Sequence, residues 1–265
     1  MGTRLFLADD FEHPQENRAF RHLCSAGSQY LAGDTVIIGN IPYGGDGQTA
    51  RAGQIDALVI RRTSITVVDF KDYGGAVRIS EDTEWTTVEG ARIAGGVRDV
   101  NPFAQVARYK SALAGWLSRS GLLRPPNDLG HISGLVMFTQ PMAVDDAAMS
   151  WKARKWFLAA DQQGGVEFLR DRASPRLDLS LASMDAIVGA MGVKPFELKL
   201  GDAWVPSSAV RAARQAGYFE AMQEIEDAEQ SRWWAENGER IQAEYEEACR
   251  GWAIMDGILD KPQDP

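Results

Sequence analysis

The chain has 265 residues, 45% of them hydrophobic, with 26 glycines and 11 prolines. That is enough apolar material for one large domain, or a domain with an appendage, and it excludes a low-complexity or collagen-like chain. The net charge of -9 disfavours a nucleic-acid partner at first sight, yet 13 acids and four bases fall within 217–265, so that residues 1–216 are balanced at 24 acids and 24 bases.

Taken in chain order, Glu12 to Ala26 carries Ala19, Phe20, Leu23 and Cys24 at helical spacing, and Gly27 is expected to stop that helix. Asp34 to Ile41 reads as a short buried strand, and Pro42 to Gly53 as a glycine-rich loop. Gln54 to Ile60 and Ser64 to Phe70 are β-branched runs around Arg61, Arg62 and Thr63, which predicts an antiparallel hairpin. Residues 76–93 alternate weakly through Val77, Ile79, Trp85, Val88 and Ile93 and suggest a second, more exposed hairpin. Asn101 and Pro102 suit the cap and first position of a helix that runs to Ser120. Ile132 to Phe138 is a further apolar strand. The order helix, three strands, helix, strand predicts a mixed sheet flanked by helices, an α/β (α+β) architecture. Beyond it, Lys155 to Ala160 reads as an edge strand, Leu181 to Met191 as a helix and Trp204 to Ala216 as a connector. Domain limits are therefore expected at 1–140 for the core, 141–216 for the remainder and connector, and 217–265 for an acidic helical extension.

Two cysteines, Cys24 and Cys249, and three histidines, His13, His22 and His131, show no metal-ligand spacing. They argue against a zinc site and a disulfide framework and for a reducing compartment. The N-terminal residues lack the apolar run of a signal peptide, Phe6 stands where myristoylation wants a serine or threonine, and no stretch approaches membrane-spanning length, so a cytoplasmic location is expected.

Chemistry concentrates in the first hairpin. Asp56 lies near the start of one strand, and Asp69 and Lys71 near the end of the next, so a tight turn brings the two acids side by side. Asp69 and Lys71 are two apart and share a face. Two carboxylates and an ammonium within β-branched runs are costly to keep. Hydrolysis of a phosphodiester gives them a purpose, because hard oxygen ligands suit Mg2+ or Mn2+ and a lysine can orient water or offset transition-state charge. The opposing reading makes both acids strand-end groups paired with Lys71 at the surface.

Further motifs accompany this group: Gln15-Glu16-Asn17-Arg18-Ala19-Phe20, Gln54-Ile55-Asp56-Ala57-Leu58-Val59-Ile60, Val67-Val68-Asp69-Phe70-Lys71-Asp72-Tyr73-Gly74-Gly75, Trp85, and Asn101-Pro102-Phe103-Ala104-Gln105. As an ordered set over about residues 12–118 they resemble the nuclease-related domain (NERD) of the PD-(D/E)XK restriction-endonuclease-like superfamily. The resemblance implies an αβββαβ core and Mg2+-dependent cleavage of nucleic acid, DNA before RNA, with a role in bacterial phage defence or DNA processing by analogy alone. It makes Asp56 and Asp69 metal ligands, Lys71 the catalytic lysine, the Phe70 carbonyl a further ligand, Glu16 a group that holds metal through water or a second ion, and Gln105 a helix glutamine near the site. Ile55 replaces the proline of the superfamily name, and Asp69 is the shorter of the two permitted acids.

Plainer readings stand beside these. Glu16 also suits a solvated first-turn acid at the positive end of a helix, and Gln105 a surface amide. Arg61 and Arg62 suit a hairpin turn. Arg108 and Lys110 are candidates for phosphate contacts, Trp85 for base stacking or for packing, and Tyr73-Gly74-Gly75 for a turn. The stripe from Ile241 to Leu259 allows three readings: helices packed on the body, a homodimer or partner-binding helix, and a DNA mimic. The competing function is a non-catalytic nucleic-acid-binding or assembly protein acting through that extension.

Overall fold

The computed structural model describes residues 2–42, 54–96, 99–123 and 125–198. The chain divides into two units, Met1–Ala209 and Val210–Pro265, and every described residue belongs to the first. Of the expected loop over 42–53, Pro42 instead ends the strand that precedes it, and the rest lies outside the described residues, as do the connector over 204–216 and the helical extension over 217–265.

Elements follow as β1 (Thr3–Leu7), α1 (Pro14–Tyr30), β2 (Thr35–Pro42), β3 (Gln54–Arg61), β4 (Ser64–Lys71), β5 (Gly75–Arg78), β6 (Trp85–Thr87), β7 (Arg92–Ile93) and α2 (Pro102–Ser120). A 3-10 turn at Leu129–His131 leads to β8 (Ser133–Phe138), β9 (Met142–Asp145), α3 (Trp151–Arg154), β10 (Phe157–Asp161), α4 (Gln162–Asp171), α5 (Leu181–Met191) and β11 (Lys194–Pro195). A seven-stranded sheet has the order β10-β8-β4-β3-β2-β1-β11, and a four-stranded sheet the order β7-β6-β5-β9. The β2-β3-β4 meander is antiparallel, whereas β4-β8, β8-β10 and β1-β2 are parallel. The large sheet is thus mixed and flanked by helices, and α1, β2, β3, β4, α2 and β8 reproduce the expected order. Among the described residues no helix is long and apolar enough to cross a membrane.

Strand alternation sends the two faces of the sheet to different helices. Leu58, Ile60, Ile65 and Val67 pack with Tyr109, Leu113 and Leu117 of α2, while Ala57, Val59, Val68 and Phe70 pack with Phe20, Leu23 and Cys24 of α1. Helix α2 begins as the sequence indicates: Asn101 Oδ1 accepts from the Ala104 amide at 2.9 Å, Pro102 opens the first turn, and Gly121 closes the helix at φ 65°.

The structure corrects four further expectations. Gly27 does not end α1, which continues to Tyr30; a Cβ there would lie 2.5 Å from Ile37 Cδ1, so this glycine permits close helix-to-sheet approach. Residues 76–93 do pair antiparallel as expected, β5 with β6 and β6 with β7, but among their alternating apolar residues only Val88 is exposed. Val77, Ile79, Trp85 and Ile93 are buried in a core with Val136, Phe138 and Phe157, because β5 pairs in parallel with β9 and the small sheet covers the α2 side of the large one. Trp85 is fully buried and its indole N–H donates to the Ser80 carbonyl at 2.8 Å, which removes it as a base-stacking platform. The strand expected from Lys155 starts two residues later, at Phe157, and does form an edge.

Gly134 on β8 is the tightest approach in this region, since a Cβ would sit 2.3 Å from Val106 Cγ1 of α2 and 2.9 Å from the Trp156 ring. Gly134→Ala is expected to cost about 1–3 kcal/mol through overpacking. A urea midpoint within error of wild type would show that Val106 and Trp156 yield without strain.

Candidate active site

Hairpin register builds the site. Ala57 on β3 faces Val68 on β4, which sets Asp56 opposite Asp69 one step further along. Both carboxylates are buried, Asp56 at 9% and Asp69 at 1% exposure. Asp56 Oδ2 accepts from the Phe70 amide at 2.7 Å, so the backbone of β4 holds it in place. Lys71, two residues beyond Asp69 on the same face, brings its Nζ to 3.0 Å from Asp69 Oδ2. The two acids and the lysine that the sequence singles out are therefore together, and the reading of them as a surface pair fails on burial.

Helix α2 supplies the next residues. Gln105 is buried, and its Oε1 accepts from Lys71 Nζ at 3.2 Å while its Nε2 donates to the Tyr109 hydroxyl at 3.0 Å. Gln105 is thus not a surface amide. Tyr109 is a member that sequence reading missed; its four-residue spacing from Gln105 puts both on one helix face and was the available signal. Glu16, in the first turn of α1, is half-buried and close enough to Lys71 and Asp69 to feel both. A cleft of about 210 Å³ opens beside it, lined by His13, Gln15, Glu16, Phe70, Asp72 and Thr139.

The electrostatics follow from burial. Desolvation raises the Asp56 carboxyl well above the ordinary range, and the Asp69 charge raises it further. Asp69 is also raised by desolvation, with Lys71 opposing. Burial pulls the Lys71 ammonium down, but Asp69 and Asp56 more than reverse this and hold it above its ordinary value. Burial likewise raises Glu16.

Asp69 is the least satisfied group of this cluster. Neither of its oxygens has a hydrogen-bond partner of proper geometry; Oδ2 has only the ion-pair contact of Lys71, and Oδ1 has nothing. A buried carboxylate oxygen left this way costs free energy that a cation would return. Among the described residues no cluster of three or more His, Cys, Asp or Glu side chains gathers to hold a metal ion. A cation here would rest on two carboxylates, backbone oxygen and water, a set that fits Mg2+, which keeps several waters.

The other flagged residues separate from this centre. Arg61 donates to the carbonyls of Leu169 and Arg170, and Arg62 pairs with Asp178, both at the turn end of the hairpin. Arg108 is taken up by Asp99, with contacts of 3.2 and 2.8 Å, and Lys110 lies 4.3 Å over the Trp156 ring. Gly75 in the Tyr73-Gly74-Gly75 turn has φ 94°, the special backbone angle expected there.

A mixed sheet flanked by helices, with two carboxylates and a lysine at one end of its central hairpin, is a nuclease-like α+β fold. Residues 12–139 match the family described as Nuclease-related domain, NERD. The match gives the chain a nuclease-related character. Comparison with curated proteins and with solved structures yields no match.

Proposed function

We propose that this protein is a metal-dependent nuclease that hydrolyses phosphodiester bonds, in DNA rather than RNA. The buried Asp69 carboxylate beside Asp56 and Lys71, with one oxygen lacking any partner, carries the reading. Asp56, Asp69 and the Phe70 carbonyl would hold Mg2+, or Mn2+ in its place, and Glu16 would reach it through water. Such an ion offsets charge on the phosphoryl oxygens and makes water a better nucleophile.

The chain's own groups do the rest. Asp69 and Gln105 fix the Lys71 ammonium so that it can donate to the attacking water or to a phosphoryl oxygen as charge develops. Tyr109 holds the Gln105 amide in the orientation that presents its oxygen to Lys71. The Phe70 amide keeps one Asp56 oxygen occupied. A cytoplasmic setting, a part in bacterial defence or DNA processing, and a homodimer or protein partner engaged through 217–265 belong to the same proposal.

Cleavage of labelled single-stranded DNA, duplex DNA and RNA, with Mg2+, Mn2+ or EDTA, tests it. DNA is expected to be cut with either metal and not in EDTA, and Lys71→Ala to be slower by at least about 100-fold. Cutting that ignores EDTA or survives Lys71→Ala would overturn the assignment. No cutting, together with no stabilisation by metal, would favour the non-catalytic nucleic-acid-binding or assembly protein.

A further inference from the structure

One surface is used neither by the core nor by the site. Between Met149 and Ala160 the sequence places Trp151, Lys152, Arg154, Lys155 and Trp156, with no acid among them. Trp151 is 60% exposed, an unusual state for the largest side chain. Its ring is contacted by Lys155, whose Nζ stands 3.8 Å from the centroid. Trp156 is half-buried against Phe103 and Phe157, and Lys110 covers its ring from α2. Arg172 donates to the Lys155 carbonyl at 2.6 Å and to Ser133 Oγ, anchoring the segment to β8. Among the described residues Lys110, Lys152, Lys155 and Arg172 form no ion pair, and Arg154 meets only Asp146, at 3.8 Å. Crowding of like charge is evident in Lys110, whose ammonium is pushed down by burial first and then by Arg172.

We infer that the Trp151–Trp156 segment, with Lys110 and Arg172, is a docking surface for single-stranded nucleic acid, its cations meeting backbone phosphates and Trp151 stacking on a base. The inference rests on the nuclease reading for its occupant, and charge complementarity carries it: unpaired cations interleaved with an exposed aromatic match a strand that offers both phosphates and π-faces. Placement on the fold agrees. Asp69 lies beside Val136 on β8, Lys71 beside Phe138, and Phe157, next to Trp156, beside Gly134 on the same strand. Phe157 packs with Val136 and Phe138 on the α2 side of the sheet, the side shared by Gln105 and Lys71. From Gly134 to Phe138 the strand rises by roughly 13 Å, about four nucleotides of stacked strand. A strand held at this surface is within that reach of the carboxylates, and that makes the surface a holding point upstream or downstream of the cut.

The test uses the full-length chain in EDTA, where binding is read without cutting. Anisotropy of a fluorescein-labelled oligothymidylate is followed across salt from about 50 to 200 mM. Lys152→Ala/Lys155→Ala is expected to weaken binding about 10-fold at the lower salt and to reduce the magnitude of the log–log salt slope by about 1.4. Trp151→Ala is expected to weaken binding at least about 5-fold with an unchanged slope. Stabilisation by Mn2+, measured in the same variants, should stay at the wild-type value, since none of these residues touches Asp56 or Asp69. Unchanged affinity in both variants would overturn the surface, as would a wild-type protein that does not bind the strand. Loss in the lysine variant alone, equal for oligothymidylate and polyglutamate, would make it a general polyanion patch and overturn the inference as well. Failure of the nuclease reading has a different signature, absence of Mn2+ stabilisation in the wild type.

Discussion

Asp56→Asn is expected to raise the thermal midpoint of the metal-free protein by about 2–6 °C near neutral pH. In Mg2+ the same variant should cut DNA more slowly by a factor on the order of 10³. The buried cluster of Asp56, Asp69 and Lys71 carries one negative charge in excess when both acids are ionised, and burial raises both carboxyls above their ordinary value of 3.8. A carboxyl raised in the folded state contributes stability that is complete below its unfolded value and is lost as pH rises through its folded value. The metal-free wild type should therefore weaken as pH climbs from about 4, and the advantage of Asp56→Asn should grow over the same interval. The asparagine oxygen still accepts from the Phe70 amide, so the geometry of β4 is kept. Melting curves in EDTA from pH 4 to neutrality decide the matter. A variant less stable than wild type across that range would mean that Asp56 serves the fold and not a cation.

Asn101→Ala should carry the largest cost to folding of any single polar residue outside the site. Asn101 is fully buried and works in two directions. Its Oδ1 caps α2 through the Ala104 amide, while its Nδ2 points to the carbonyls of Ser80, Glu81 and Thr83 at 3.3, 3.1 and 2.7 Å. Truncation removes a cap worth about 1 kcal/mol and strips buried carbonyls of a donor at about 1–3 kcal/mol, so a total of about 2–4 kcal/mol is expected. The urea midpoint should fall with little change in slope. Asn101→Asp, which retains the capping oxygen but turns an acceptor toward three carbonyls in a buried place, should lose at least as much as the alanine variant. A loss below about 0.5 kcal/mol for the alanine variant would show that water or a shifted loop replaces the amide.

The hairpin was legible in the sequence because both determinants are local: the β-branched runs fix the period, and a short turn fixes the register that sets Asp56 against Asp69. Helix α2 was legible through Asn101 and Pro102, whereas Gln105 came from the family resemblance, which implies a helix glutamine near the site. What escaped depends on partners far along the chain. β1 has only five residues and becomes a strand by pairing with β2, 32 positions away. The small sheet needs β5 to meet β9, and only that pairing buries Trp85 and Ile93. Periodicity shows which side of an element is apolar, not which element will cover it. Tyr109 lay within reach of a helical-wheel argument, but its hydroxyl has meaning only once Lys71 is known to stand across from Gln105. Of the Trp151–Trp156 segment only Lys155 and Trp156 fell within an expected element, the edge strand over Lys155 to Ala160, since exposure of a tryptophan is a property of the finished surface.

The strands that complete the sheet have a practical consequence for any attempt to isolate the nuclease-related segment. Residues 12–139 begin after β1 and stop before β10. A fragment cut to those limits would leave β2 and β8 as the two outer strands of a four-strand remnant, β8, β4, β3 and β2, each outer strand carrying a row of bare amides and carbonyls. β2 is buried at seven of its eight positions and β8 at all six, so these would be long apolar borders without charges, and with a proline only at the last position of β2, to keep them from recruiting others. The fragment would be driven to self-associate, and the smallest piece expected to stay monodisperse includes Thr3 at one limit and Pro195 at the other.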